Sequence, residues 1–164
     1  MAKGAIRIKV KTGDRNALAH RPGFLIRRLH QIHLALFAEE CGPFAVTPVQ
    51  YSIMTVAAAR PKLDQARLAF EVGVDHATLA NVLARLEARR LIRRSPSAKD
   101  KRLKLVSLSP RGMALLERMR PAVERAHDRT IAALPPADRA AFLDLLLRLV
   151  DAQNDYGRAP LRFG

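Results

Sequence analysis

Residues 64–108 read DQARLAFEVGVDHATLANVLARLEARRLIRRSPSAKDKRLKLVSL, and their spacing decides the architecture. Asp64 is an N-cap for a short helix over Gln65 to Glu71; Val72-Gly73-Val74 then turns the chain, with Gly73 supplying a left-handed residue. Asp75 caps a second helix, whose buried face is Leu79, Val82, Leu83 and Leu86, while Ala69 is small where the two helices must cross. The opposite face shows His76, Ala77, Ala80, Asn81, Ala84 and Arg85, with Thr78 in the first turn. Small residues let such a helix sit deep in a major groove, and Asn81 has the donor and acceptor to pair bidentately with adenine. The spacing fits a helix-turn-helix; an ordinary helical hairpin with a solvated face shares the same periodicity.

After Arg90 the helical period gives way to alternation. Leu91-Ile92-Arg93-Arg94 and Leu103-Lys104-Leu105-Val106-Ser107-Leu108 read as two strands around a polar loop, Ser95 to Arg102. A helix-turn-helix followed at once by a hairpin with a basic tip is a winged helix. Arg93, Arg94, Lys99, Lys101 and Arg102 concentrate positive charge where a wing meets phosphates or the minor groove. Asp100 is an acid among them, and its expected role is to hold the Arg102 guanidinium at a fixed angle through a charge-assisted pair.

Outward from this block the chain is helical. Pro22 opens a helix patterned by Phe24, Leu25, Leu29, Ile32, Leu36 and Phe37 that ends before Gly42-Pro43. Thr47-Pro48 caps a helix through Tyr51, Ile53, Met54 and Ala57, stopped by Arg60-Pro61. Ser109-Pro110 caps another that runs past Pro121, where a kink is expected. After Leu134-Pro135-Pro136 a last apolar helix spans Ala137 to about Tyr156. The expected fold is mainly α with a small β-hairpin wing. A winged helix-turn-helix over 47–109 is flanked by two helical segments, 21–46 and 110–157. A mobile basic arm, 1–20, and a tail, 158–164, flank them. Leu134, Phe142, Leu143, Leu145, Leu146, Leu147, Leu149 and Val150 are too many apolar residues for one exposed helix and require a partner surface, a second copy of the chain.

Charge narrows the partner. The 164 residues carry a formal net charge of +14. Residues 1–33 hold eight Lys or Arg against Asp14 alone, and 60–104 hold twelve against five acids, so the whole excess lies in the arm and the central block. This predicts attraction to a polyanion. No stretch is apolar enough to span a membrane, and no membrane partner is expected. The absence of a signal-peptide core, together with one cysteine, points to a cytoplasmic protein.

At this point the sequence resembles the MarR family of bacterial regulators. The run from Val74 to Ile92 is similar to its recognition helix and first wing strand. Arg94, then Asp100-Lys101-Arg102, then Leu108-Ser109 and Gly112 match its wing signature, including the Asp-x-Arg element. Two positions depart from the family pattern: Ser109 stands where Thr is usual, and Arg90 where Gly is usual before the first wing strand. The resemblance covers roughly residues 22–157. It implies a triangular homodimer, with 21–46 and 110–157 as its helical dimerisation region, that binds a pseudo-palindromic duplex operator, read by His76, Ala77, Thr78, Ala80, Asn81, Arg85, Arg94, Lys99, Asp100, Lys101 and Arg102. It also implies a ligand pocket beside the first, second and fifth helices, where this chain offers His30, His33, Phe37, Tyr51, Met54 and Met113. The implied function is a repressor released by a small aromatic acid or its CoA thioester.

Other classes fit less well. His20, His30, His33, His76 and His127 are scattered, and no P-loop, GxSxG, HExxH or dinucleotide fingerprint appears, so an enzyme is not expected. His30 and His33 lack an acidic or thiol neighbour, and neither a metal nor a cofactor is expected. Cys41 as a redox sensor and a non-specific architectural DNA-binding protein are the alternatives.

Overall fold

In the computed structural model, which describes residues 18–157, four side-chain caps set helix starts. Thr47 Oγ1 accepts the Gln50 N–H while the Gln50 side chain accepts the Thr47 N–H, a complete capping box. Asp64, Asp75 and Ser109 accept from Arg67, Thr78 and Gly112. The elements are α1 (Pro22–Cys41), α2 (Pro48–Ala59), β1 (Leu63–Asp64), α3 (Gln65–Val72), α4 (His76–Ala88), β2 (Ile92–Pro96), β3 (Lys104–Leu108), α5 (Pro110–Ile131) and α6 (Pro136–Ala152). Short 3-10 turns occupy Gly42–Phe44 and Asn154–Tyr156. The expected arm at 1–20 lies outside the described residues except for 18–20, and so does the tail at 158–164.

The wing is a three-stranded antiparallel sheet in the order β1-β3-β2, with Ile92 opposite Leu108 and Leu63 opposite Val106. The third strand, β1, was not expected from sequence: two residues carry no alternation, and only pairing with β3 makes them a strand. Two apolar clusters organise the chain. One joins the helix-turn-helix to the wing through Ile53, Met54, Leu68, Leu79, Leu83, Leu86, Leu91, Ile92, Val106 and Leu116. The other fixes α1 on α5 through Phe37, Cys41, Val46, Met119, Val123 and Ala126. Tyr51 and Leu115 touch both. On the outside, Arg125 and Arg129 clasp Glu39 and Glu40. Hydrogen bonds from Arg125 and Arg129 hold the Glu40 carboxyl below its ordinary range.

α5 is continuous through Pro121, which lies on its exposed side. α6 is shorter than expected. Its helix ends at Ala152, and Asn154, Asp155 and Tyr156 form a separate turn before Gly157, a run of weak helix formers. No residue of α6 is buried, and Leu143, Leu145, Leu147, Leu149 and Val150 are all exposed.

Gly112 controls how closely α5 meets the wing. A Cβ there would fall 2.1 Å from the Leu91 carbonyl oxygen and 2.8 Å from Leu108 Cδ1. That carbonyl already accepts the Ser109 N–H at 2.9 Å and cannot retreat freely. Gly112→Ala is therefore expected to destabilise the fold by about 1–3 kcal/mol, although Ala in a helix would otherwise add up to about 1 kcal/mol. Urea unfolding reads the sign directly, and a stabilised variant would contradict this packing.

Candidate nucleic-acid interface

α4 presents an open face. His76, Ala77, Thr78, Ala80, Asn81, Ala84 and Arg85 are all exposed, while Leu79, Leu83 and Leu86 are buried and Val82 is half-buried. The Thr78 hydroxyl is engaged, donating to Asp75 Oδ2 at 2.7 Å, so Thr78 strengthens the cap. The Asp75 carboxyl is held low chiefly by the Thr78 backbone N–H. An anionic cap at the leading end of the helix fixes how that end is presented.

The other end of α4 is fastened twice. Arg89 donates to the carbonyls of Phe44 and Ala45 in the α1–α2 connection. Arg90 then adopts φ 58°, with its N–H on the Glu87 carbonyl and the Leu91 N–H on the Leu86 carbonyl. Those two bonds are a Schellman closure, and Arg90 fills the left-handed position that glycine ordinarily takes.

Two sequence expectations about the wing are corrected. Arg94 is not free at the wing surface: it forms an ion pair with Glu87, through Nε at 2.8 Å and through its second guanidinium nitrogen. The hydrogen bond from Arg94 holds the Glu87 carboxyl below its ordinary range. Arg94 thus ties the first wing strand to α4. The Asp100 carboxylate does not pair with the Arg102 guanidinium. Asp100 Oδ1 accepts the backbone N–H of Arg102 at 2.9 Å, and the Asp100 carbonyl accepts the Leu103 N–H at 3.0 Å. At two residues' separation the carboxylate reaches the backbone first, an Asx turn that shapes the tip. Ser97 Oγ accepts N–H groups of Lys99 and Asp100 from inside the loop. Lys99, Lys101 and Arg102 remain exposed.

A test follows from this geometry. Asp100→Ala raises the positive charge, so electrostatics alone predicts tighter DNA binding. Loss of the turn bond, about 0.5–1.5 kcal/mol, predicts binding weaker by roughly 2–10-fold. Affinity for an operator duplex at fixed salt decides; tighter binding would sink the shaping role.

The residues expected to line a ligand site separate. His33, half-buried, stacks on His127 with centroids 5.2 Å apart and tilts against Phe37 at 6.1 Å; Phe37 meets Tyr51 edge-on at 6.4 Å. A row of rings thereby links α5, α1 and α2. Thr130 Oγ1 donates to the Ala126 carbonyl and lies 2.9 Å from His33 Nδ1. Burial, then the His127 and His30 charges, lower the His33 pKa from its ordinary 6.5, which keeps the ring neutral at pH 7. His30 is exposed on α1.

Met54 and Met113 do not join this row. Met54 is fully buried in the winged-helix core, because α2 turns positions 53, 54 and 57 inward together. Met113 lies exposed in the first turn of α5. Phe37 also lines a cavity of about 240 Å³ with Leu34, Ala38, Cys41, Val46 and Thr47. Burial pushes the Cys41 thiol up, so the unreactive protonated form dominates. Among the described residues no cluster of three or more His, Cys, Asp or Glu side chains is placed to hold a metal. No described helix is long and apolar enough to cross a membrane.

Sequence missed Glu87 and Arg89 as positioning residues. Glu87 was hidden because its partner lies seven residues on, across the helix–strand junction. Arg89 was hidden because its acceptors are backbone carbonyls more than forty residues away.

The chain is similar to known proteins in sequence and in fold. A sequence model of the MarR family matches residues 46–104. The HTH-type transcriptional repressor NicR of Pseudomonas putida is 30% identical over 135 residues, covering 82% of this chain and 85% of NicR. The structure of Bordetella bronchiseptica BpsR, whose DNA binding is regulated by 6-hydroxynicotinic acid, superposes with a TM-score of 0.78 at 32% identity, over 81% of this chain and 95% of that one. The Rhodococcus jostii repressor CouR, bound to a 23-mer DNA duplex, gives a TM-score of 0.78 at 27% identity, over 87% and 99%.

Proposed function

Since the chain belongs to the MarR family of DNA-binding transcriptional regulators, we propose that it is a repressor that binds a pseudo-palindromic operator as a homodimer and is released by a small aromatic acid or its CoA thioester. The proposed division is a DNA-reading unit over 47–109 and a dimerising unit of 21–46 with 110–157. Asn81 and Arg85 read base edges from α4, with His76, Ala77 and Ala80 allowing close approach. Lys99, Lys101 and Arg102 grip the minor groove or its phosphates, and Asp100 sets their geometry.

The observation that carries the effector reading is the ring row His127–His33–Phe37–Tyr51, in which His33 is half-buried. Stacked rings favour a flat aromatic body, and an imidazole can hydrogen-bond a polar substituent on it. NicR is a repressor and BpsR responds to an aromatic acid, which supports the same class here. Phe37 is buried, Tyr51 half-buried and His30 exposed.

The experiment is a fluorescence-anisotropy titration of an operator duplex and a random duplex, with and without 6-hydroxynicotinate and a panel of aromatic acids and their CoA thioesters. An effector is expected to weaken operator binding about 5–150-fold, and by linkage the operator must weaken effector binding by the same factor. His33→Ala should lose that coupling while keeping operator affinity. Equal operator affinity with and without every compound that binds would defeat the effector reading. Equal affinity for both duplexes would favour an architectural protein instead.

A further inference from the structure

A second site lies at the base of the wing, at the opposite end of the hairpin from its basic tip. A cavity of about 620 Å³ is lined by Arg90, Arg93, Arg94 and Arg111, with Glu87 and Ser109 completing its wall. Glu87 is the one acid in this lining, and Arg94 already occupies it. Among the described residues the guanidinium groups of Arg90, Arg93 and Arg111 have neither an ion pair nor a hydrogen bond to a side chain or carbonyl, and all three residues are exposed. Arg111 also borders a smaller neighbouring cavity with Arg89 and Arg118, so the positive surface continues along α5.

Arg90 adds an independent observation. Its backbone is left-handed, which costs an L-residue with a Cβ roughly 1–2 kcal/mol and glycine nothing. The Arg90 side chain delivers a guanidinium into the arginine-lined cavity.

We propose that this cavity binds a phosphate-bearing small polyanion, held bidentately by Arg90, Arg93 and Arg111. Three uncompensated guanidinium groups match a di- or triphosphate, and arginine forks fit phosphate oxygens in pairs. The volume falls within the roughly 300–1,000 Å³ of small-molecule sites. The cavity is offset from the wing tip. Arg93 lies four residues from Ser97, where the tip loop begins, about 13 Å at 3.3 Å per residue. Arg94 lines the same cavity, so a bound polyanion draws on the guanidinium that ties the wing to α4. This site is separate from the ring row and does not depend on the effector reading.

The test is calorimetric titration of the full chain with sodium tripolyphosphate at fixed ionic strength, using sulfate as the control anion. Saturable binding near one per chain is expected. Arg90→Gly and Arg111→Gln should each weaken it at least tenfold, while Arg102→Ala at the tip leaves it unchanged. Arg90→Gly also separates roles, since relief of the left-handed backbone should hold or raise its melting temperature while binding is lost. Absence of saturable heat, or equal affinity in Arg90→Gly, Arg111→Gln and wild type, overturns the proposal. So does loss in Arg102→Ala alone, which would place the anion on the tip. If Arg90→Gly and Arg111→Gln weaken operator binding and leave tripolyphosphate binding intact, the arginines hold a DNA phosphate and the proposal is likewise wrong.

Discussion

Operator affinity is expected to fall about 10³–10⁵-fold between 50 and 200 mM salt, the largest effect of any condition considered. The reason is the release of counterions when basic side chains neutralise phosphates. Each chain offers Arg85 on α4 and Lys99, Lys101 and Arg102 on the tip, all exposed. Doubled in a dimer, these sites neutralise on the order of six to ten phosphates. Arg94 is not counted, because Glu87 already holds it. Anisotropy titrations at four or more salt concentrations give the slope of log K against log salt. A nearly flat line would remove the DNA-binding reading of the wing altogether. Arg102→Ala should lower that slope by about one for each copy that contacts a phosphate.

The second large effect concerns assembly. In the proposed dimer, Leu145→Asp with Leu149→Asp is expected to give a monomer that no longer footprints. α6 exposes about half of both leucines, 54% each, and has no fully buried residue within its own chain. If a partner covers that exposed half, each leucine contributes about 0.8–1.5 kcal/mol, and two-fold symmetry doubles the loss. Even the low end, about 3 kcal/mol over four leucines and before the cost of the introduced charges, raises Kd by roughly 10²-fold. Sedimentation equilibrium and circular dichroism together decide it. A folded, dimeric double variant that binds operator normally would show that α6 faces solvent.

The parts of this fold legible in sequence were those specified locally. Thr47, Asp64, Asp75 and Ser109 announce helix starts because a cap acts within three residues. Gly73, at φ 71°, announces the turn of the helix-turn-helix. What stayed hidden depended on contacts distant in sequence. β1 exists only through Val106 and Leu105. Asp100 was expected to pair with the Arg102 guanidinium, and only the folded loop shows that the Arg102 N–H is nearer. For the candidate ligand site, helix identity alone selected Met54 and Met113, but a helix has several faces and a length. Met54 faces the core, and Met113 is exposed in the first turn of α5. His127 and Thr130, which complete the ring row and its hydrogen bond, were missed because they lie almost a hundred residues from His33.

Arg89 has a mechanical meaning. Its guanidinium holds the carbonyls of both Phe44 and Ala45, and Ala45 is itself a left-handed residue bordering the cavity beside Phe37 and Cys41. The trailing end of α4 is therefore fastened to the α1–α2 connection, outside the proposed DNA-reading unit. Sliding or rolling the helix against that connection strains two hydrogen bonds. In the proposed dimer the constraint applies twice, once at each half-site. The gap between the two reading helices, to be matched to a duplex repeat of about 34 Å, then becomes a property of the short α1–α2 connection. The helices act as the jaws of a caliper whose setting screw is the backbone at residues 44 and 45.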